Sequence, residues 1–142
     1  MRIAIFGLGY VGAVTGACLA KKGHNVIGVD INKQKVDAVN KGHSPIIEKG
    51  LGELIRKCVK NKRFSATTST KEAVLKTDIG MVCVGTPSTE SGAINIEHLR
   101  TAVRKIGEAL NGLERFYTIV IRSTVLPGTI EDILIPILEQ SS

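Results

Sequence analysis

The opening of this chain constrains its fold more than any other stretch. Arg2-Ile3-Ala4-Ile5-Phe6 is a short run of strand length, apolar after its arginine, and Gly7-Leu8-Gly9-Tyr10-Val11-Gly12 follows at once. The glycine cluster leads directly into a helical pattern, so the spacing predicts a strand, a tight turn and a helix. Each glycine has its own reason. Gly7 takes a turn closed to residues with a Cβ, Gly9 lets a diphosphate approach the main chain, and Gly12 lets helix and strand pack closely. An anion there meets free N–H groups at the helix N-terminus.

The context of the turn strengthens this reading. Tyr10 to Lys22 carries apolar or small residues at Val11, Val14, Thr15, Cys18 and Leu19, and Gly23 stands where a helix-ending glycine belongs. Asn25-Val26-Ile27-Gly28-Val29-Asp30 then reads as a buried strand ending in a carboxylate. Asp30 lies at the distance of an acid that accepts hydrogen bonds from an adenosine ribose. Ile3 to Ala20 is free of charge and could pass for a signal peptide or membrane span. Glycines at 7, 9, 12, 16 and 28, and the second strand that follows without a break, favour a soluble cytoplasmic protein with no membrane partner.

At 142 residues the chain allows one domain with an adequate core. Its net charge of +6 is densest in Arg56-Lys57-Cys58-Val59-Lys60-Asn61-Lys62-Arg63, at a predicted helix end and the loop after it. Aromatic residues make up only 4% of the chain and tryptophan is absent, which argues against nucleic acid as the partner. A solvated helix end that complements the helix dipole accounts for the run. Cys18, Cys58 and Cys83 lack metal-ligand spacing and are expected to be buried thiols in a reducing compartment, with no metal site.

Asn32 is placed to cap a helix reaching about Asn40, which sets Asn32, Lys33 and Lys35 beside the ribose site. Spacing alone leaves Lys35 open between a ribose contact and a surface helix residue. His43 to Leu51 interrupts the alternation, and helical periodicity resumes from Gly50. Phe64–Thr67 is a third strand, and Ser69 with Glu72 suggests a capping box for a helix through Lys76. Residues 78–84 form a fourth strand ending in Gly85-Thr86-Pro87. Asn95 is expected to cap a helix to about Leu110, 118–123 form a fifth strand, and Thr129 with Asp132 suggests another capping box.

Strands alternating with helices require parallel pairing through right-handed crossovers. The expected architecture is a single α/β domain, a Rossmann-type doubly wound parallel sheet with strand order 3-2-1-4-5. Ligands of such sheets bind beyond the carboxyl ends of the strands, where the order reverses. Loops 7–12, 85–87 and 123–128 all fall on that edge, which favours cofactor contact over plain turn hydroxyls for Thr86 and Thr124. The carboxylate of Asp30 would repel a 2′-phosphate and so favours NAD, although nearby lysines weaken that preference.

With these residues placed, the chain resembles the N-terminal domain of the UDP-glucose/GDP-mannose dehydrogenase family. The resemblance rests on residues 6–12, the insert Ser44-Pro45-Ile46-Ile47-Glu48-Lys49-Gly50-Leu51, the run Cys83-Val84-Gly85-Thr86-Pro87, and Ser123-Thr124-Val125-Leu126-Pro127-Gly128-Thr129. It covers the whole chain, and Arg122 to Thr129 looks closest to the GDP-mannose branch. What it implies is an NAD-dependent, four-electron oxidation of a sugar nucleotide from alcohol to carboxylate. By the same resemblance Tyr10 and Val11 meet the pyrophosphate, Asp30 and Lys35 the adenosine ribose, and Thr86 and Thr124 the nicotinamide half. It also gives Thr124 a water-orienting catalytic role. Lys49 stands where the family usually has proline, which makes the insert's role less secure.

The family resolves its aldehyde on a cysteine with lysine, acidic and amide partners, all in later segments that this chain lacks. None of Cys18, Cys58 or Cys83 falls in that motif. The expectation is therefore a dinucleotide-binding domain over 1–142, with the sugar-nucleotide-binding and catalytic domains elsewhere and the full-length protein a homo-oligomer. The alternative sugars are UDP-glucose and UDP-N-acetylhexosamine. A stand-alone NAD-sensing module is a rival reading, as is a dehydrogenase of the 6-phosphogluconate type; the insert argues against both.

Overall fold

A computed structural model describes all residues, 1–142. Five strands, β1 (Arg2–Phe6), β2 (Asn25–Val29), β3 (Phe64–Thr67), β4 (Ile79–Val82) and β5 (Thr118–Ile121), form one sheet in the order β3-β2-β1-β4-β5. Every pairing is parallel. Helices α1 (Tyr10–Lys21), α2 (Lys33–Asn40), α3 (Leu51–Lys60), α4 (Thr70–Lys76), α5 (Glu97–Leu110) and α6 (Ile135–Ser141) make the crossovers and the final segment.

The two-residue period of β1 divides the core. Ile3 and Ile5 join Leu8, Val36, Ile55 and Phe64 in one apolar cluster, beneath α1, α2 and α3. Ala4 and Phe6 join Val74, Leu99, Val103 and Ile106 in the other, beneath α4 and α5. A central strand is buried on both faces, which is why Ile3 to Phe6 of β1 are all apolar and only Arg2, at its exposed start, is charged.

The sheet's register brings the functional edge together. Phe6 pairs with Val29 on one side and Val82 on the other, and Val82 pairs with Ile121. Gly7, Asp30, Cys83 and Arg122 therefore leave the sheet at one level, where the strand order reverses around β1.

Several local expectations are corrected. The buried stripe of α1 is Gly12, Ala13, Gly16, Ala17 and Ala20, while Val11 and Cys18 are exposed. The helix lies close over the sheet, so small side chains face it; Val14 and Leu19 pack at its flank. Ser69 accepts from the Glu72 amide as predicted, but Glu72 turns to Thr67 and Lys76, so only half of that capping box forms. Asn95 accepts from the Glu97 amide, although α5 itself begins at Glu97.

The second capping box does not form. Thr129 is helical, with φ −57°, and caps nothing; Ile130–Leu134 make a π-helical turn into α6. Pro136 follows in the first turn of α6. It has no N–H to offer the carbonyl of residue 132, and the chain widens there instead. Strands β4 and β5 are also shorter than expected, stopping at Val82 and Ile121.

Candidate functional site: the carboxyl edge of the sheet

Gly7 adopts φ +101°, where a Cβ would press against the carbonyl of Cys83 at 3.0 Å. A Cβ on Gly12 would land on the carbonyl oxygen of Gly7, so helix and turn approach as closely as backbone allows. Gly9 is different: nothing lies within 4 Å of where its Cβ would be. The space it leaves opens onto the N-terminus of α1.

That helix end is itself uncommitted. Gly9 precedes it without a side-chain cap, the first turn has no acidic residue, and nothing in the protein accepts from the amides of Tyr10, Val11 and Gly12. Three aligned N–H groups and the positive end of the dipole form a ready anion site. Tyr10 and Val11, the first two residues of the helix, are exposed.

A cleft of about 430 Å³ runs from this turn across the ends of β2 and β4 to α5. It is lined by Gly7, Gly9, Asp30 and Lys35 among others, so four predicted residues converge there. The Asp30 carboxylate accepts from the Leu8 amide through Oδ2 and from the Asn32 amide through Oδ1, each at 2.8 Å. Two amides orient it, and each oxygen keeps a lone pair for a ribose hydroxyl. Lys35 makes no ion pair, and its ammonium remains available to a ligand.

Thr86 and Thr124 do not line that cleft. They meet each other on its β5 side, where Thr86 Oγ1 donates to the Thr124 carbonyl at 2.9 Å. With its proton committed, the Thr86 hydroxyl presents lone pairs outward, suited to accepting from an amide NH₂. The hydroxyl of Thr124 has no partner in the protein and stands exposed.

Sequence reasoning missed the wall contributed by α5. His98, Thr101, Ala102 and Lys105 all line the cleft. Their spacing of i, i+3, i+4, i+7 is one helix face, next to the buried stripe Leu99, Val103 and Ile106. That second stripe was visible in the sequence, but only tertiary packing aims it at Asp30.

Two of the three thiols, Cys58 and Cys83, are buried. Burial pushes Cys83 and Cys58 above the ordinary thiol range, with the Arg122 cation partly opposing the effect at Cys83. Cys18 is exposed, against expectation, because α1 turns its small residues to the sheet. A larger groove, about 770 Å³, lies between the end of α1 and α3 and is lined by Lys21, Lys57 and Arg63. It contains none of the glycine-turn or carboxyl-edge groups, and the basic run simply ends α3 in solvent.

A parallel sheet reversing around β1, uncapped amides after a glycine turn and an oriented carboxylate after β2 define a dinucleotide-binding domain. The chain belongs to the UDP-glucose/GDP-mannose dehydrogenase family, whose NAD-binding domain matches residues 1–142. It is 51% identical to GDP-mannose 6-dehydrogenase of Azotobacter vinelandii over all 142 residues, covering 33% of that protein. Its fold matches the ternary-complex crystal structure of GDP-mannose dehydrogenase from Pseudomonas aeruginosa with a TM-score of 0.98 and 48% identity, over 100% of this chain and 33% of that one. A UDP-glucose dehydrogenase from Pyrobaculum islandicum matches with a TM-score of 0.93 and 33% identity, over 98% of this chain and 32% of that one. The chain thus spans about a third of the length of these relatives. No helix is long and apolar enough to cross a membrane.

Proposed function

We propose that this chain is the cofactor-binding third of an NAD-dependent nucleotide-sugar 6-dehydrogenase acting on GDP-mannose. The observation that carries the cofactor assignment is the set of free α1 amides next to Gly9, which lines the same cleft as Asp30. The choice of sugar nucleotide follows the higher identity to GDP-mannose enzymes, 51% against 39% for a UDP-glucose 6-dehydrogenase of Haloferax volcanii. UDP-glucose and UDP-N-acetylhexosamine remain the alternative substrates.

In this reading the amides of Tyr10, Val11 and Gly12 hold the diphosphate, with Gly7 and Gly9 giving it room. Asp30 accepts from the adenosine ribose hydroxyls and Lys35 supplies a cation beside them. Thr86 and Thr124 orient the nicotinamide carboxamide, and Thr124 directs its free hydroxyl at a catalytic water. When bound, NAD supplies the hydride acceptor, twice per alcohol-to-carboxylate conversion. The remainder of the protein provides the thiol chemistry and most of the sugar-nucleotide site. The full-length protein is a cytoplasmic homo-oligomer, and these 142 residues bind NAD without turning over substrate.

Titrating the chain with NADH and NADPH tests the cofactor, and incubating it with GDP-mannose and NAD tests the division of labour. The expected result is clear preference for NADH and no NADH formation. Tighter binding of NADPH would remove the Asp30 assignment, and turnover by the 142 residues would remove the proposed division between domains. Full-length protein should oxidise GDP-mannose faster than UDP-glucose; the reverse rate order would transfer the reading to the alternative substrate.

A further inference from the structure

The helix that offers its amides to a diphosphate and the loop that carries Thr124 are far apart in sequence, yet one side chain joins them. Arg122, the first residue after β5, donates from Nη1 to Oγ1 of Thr15 on α1 at 2.6 Å, across 107 positions of sequence. Its amide donates to the Val82 carbonyl at 2.9 Å, which fixes its backbone to the end of β4. The next two residues are tied to the β4 loop: Ser123 Oγ donates to the Val84 carbonyl at 2.6 Å, and Thr86 Oγ1 to the Thr124 carbonyl. Arg122 is thus the link from this stitched pair of loops to α1.

We propose that Arg122 is a positioning residue for the cofactor, setting through Thr15 the separation between the α1 amides and Thr124. The proposal rests on the reading that this edge binds NAD. A dinucleotide spans both sites at once, so their spacing decides whether its two halves can be held together. Arginine suits the task because its long, permanently charged side chain reaches a helix that β4 separates from β5. The bond is exposed, so its loss costs little global stability and falls on the geometry of the edge.

ADP-ribose carries the adenosine and diphosphate but lacks nicotinamide, which separates the two halves experimentally. Dissociation constants for NADH and ADP-ribose are compared in the unaltered chain, Arg122→Met, Thr15→Val, the double variant and Thr15→Ser. Arg122→Met and Thr15→Val should each weaken NADH about fivefold, as loss of one hydrogen bond would, and leave ADP-ribose within about twofold. The double variant should be no worse than either single one, and Thr15→Ser, which keeps the hydroxyl, should bind like the unaltered chain. Equal losses for both ligands, no loss for either, or additive losses in the double variant would overturn the proposal. If the unaltered chain binds neither ligand, the cofactor reading itself falls and this proposal with it.

Discussion

Asp30 shows how much a single residue can be asked to do at this edge. Its carboxylate ties the glycine turn to the end of β2 through the Leu8 amide and starts α2 through the Asn32 amide. Removing it therefore frees two amides and takes away the acceptor proposed for a ribose. Asp30→Ala should weaken NADH by roughly 1–2 kcal/mol through the lost charge-assisted hydrogen bonds. ADP-ribose should suffer the same loss, since the ribose concerned belongs to the adenosine half. Isothermal titration of both ligands checks this, and an effect confined to NADH would place Asp30 in the wrong half. The contrast with Arg122, whose replacement should spare ADP-ribose, makes the two residues internal controls for each other.

At the scale of elements, the contact between α1 and the turn before it is the tightest constraint in the molecule. A Cβ on Gly12 meets the Gly7 carbonyl and, at 3.2 Å, the side chain of Ile5. Backbone cannot yield as a flexible side chain does. Gly12→Ala should thus destabilise the chain by about 1–3 kcal/mol, as overpacked sites do, and should displace the first turn of α1 from the diphosphate. Thermal melts and NADH titration would register both effects together. Gly9→Ala makes the complementary case: with nothing near its Cβ in the free protein, stability should hold while NADH binding falls. Equal melting losses for the two variants would mean that Gly9 is a structural glycine, and that its open space is not a cofactor's.

For the whole molecule, the edge opposite the cofactor cleft is pinned by charge. Arg2 forks onto Asp78 with Nη2–Oδ1 of 2.6 Å and Nε–Oδ2 of 3.0 Å, and Arg115 adds a contact of 3.4 Å. These residues sit at the amino ends of β1, β4 and β5, so one carboxylate joins three strands. The hydrogen bond from Arg2, reinforced by both guanidinium charges, holds the Asp78 carboxyl below the ordinary carboxylate range. A carboxylate lowered on folding stabilises the native state above its unfolded value, near 3.9, and loses that contribution as pH falls through the folded one. The melting temperature should therefore stay level from neutral pH to about 5 and fall below about 4. Asp78→Asn should melt lower at pH 7, and the gap should narrow toward pH 2; a gap constant with pH would exclude the ionic contribution.

Local physics made much of the design legible. The apolar run of β1, the glycine turn and the carboxylate ending β2 specify a parallel dinucleotide fold because each depends on backbone geometry and short spacing. That is why Gly7, Gly9 and Asp30, which the structure lines up along one cleft, could be singled out by spacing, whereas Lys35 was open on spacing alone, and why the strand order is 3-2-1-4-5 as expected. Helix faces were harder to read. Cys18 was expected to be buried, yet close approach of α1 to the sheet selected Gly12, Ala13 and Gly16. The sequence alone determined the elements, their parallel order and the edge on which a cofactor belongs. Only the tertiary structure decided that α5 walls the cleft, that the Thr86 hydroxyl donates to the Thr124 carbonyl, and that Arg122 reaches Thr15. Those contacts join residues far apart in the chain, and their partners are chosen by packing distance, which no local pattern encodes.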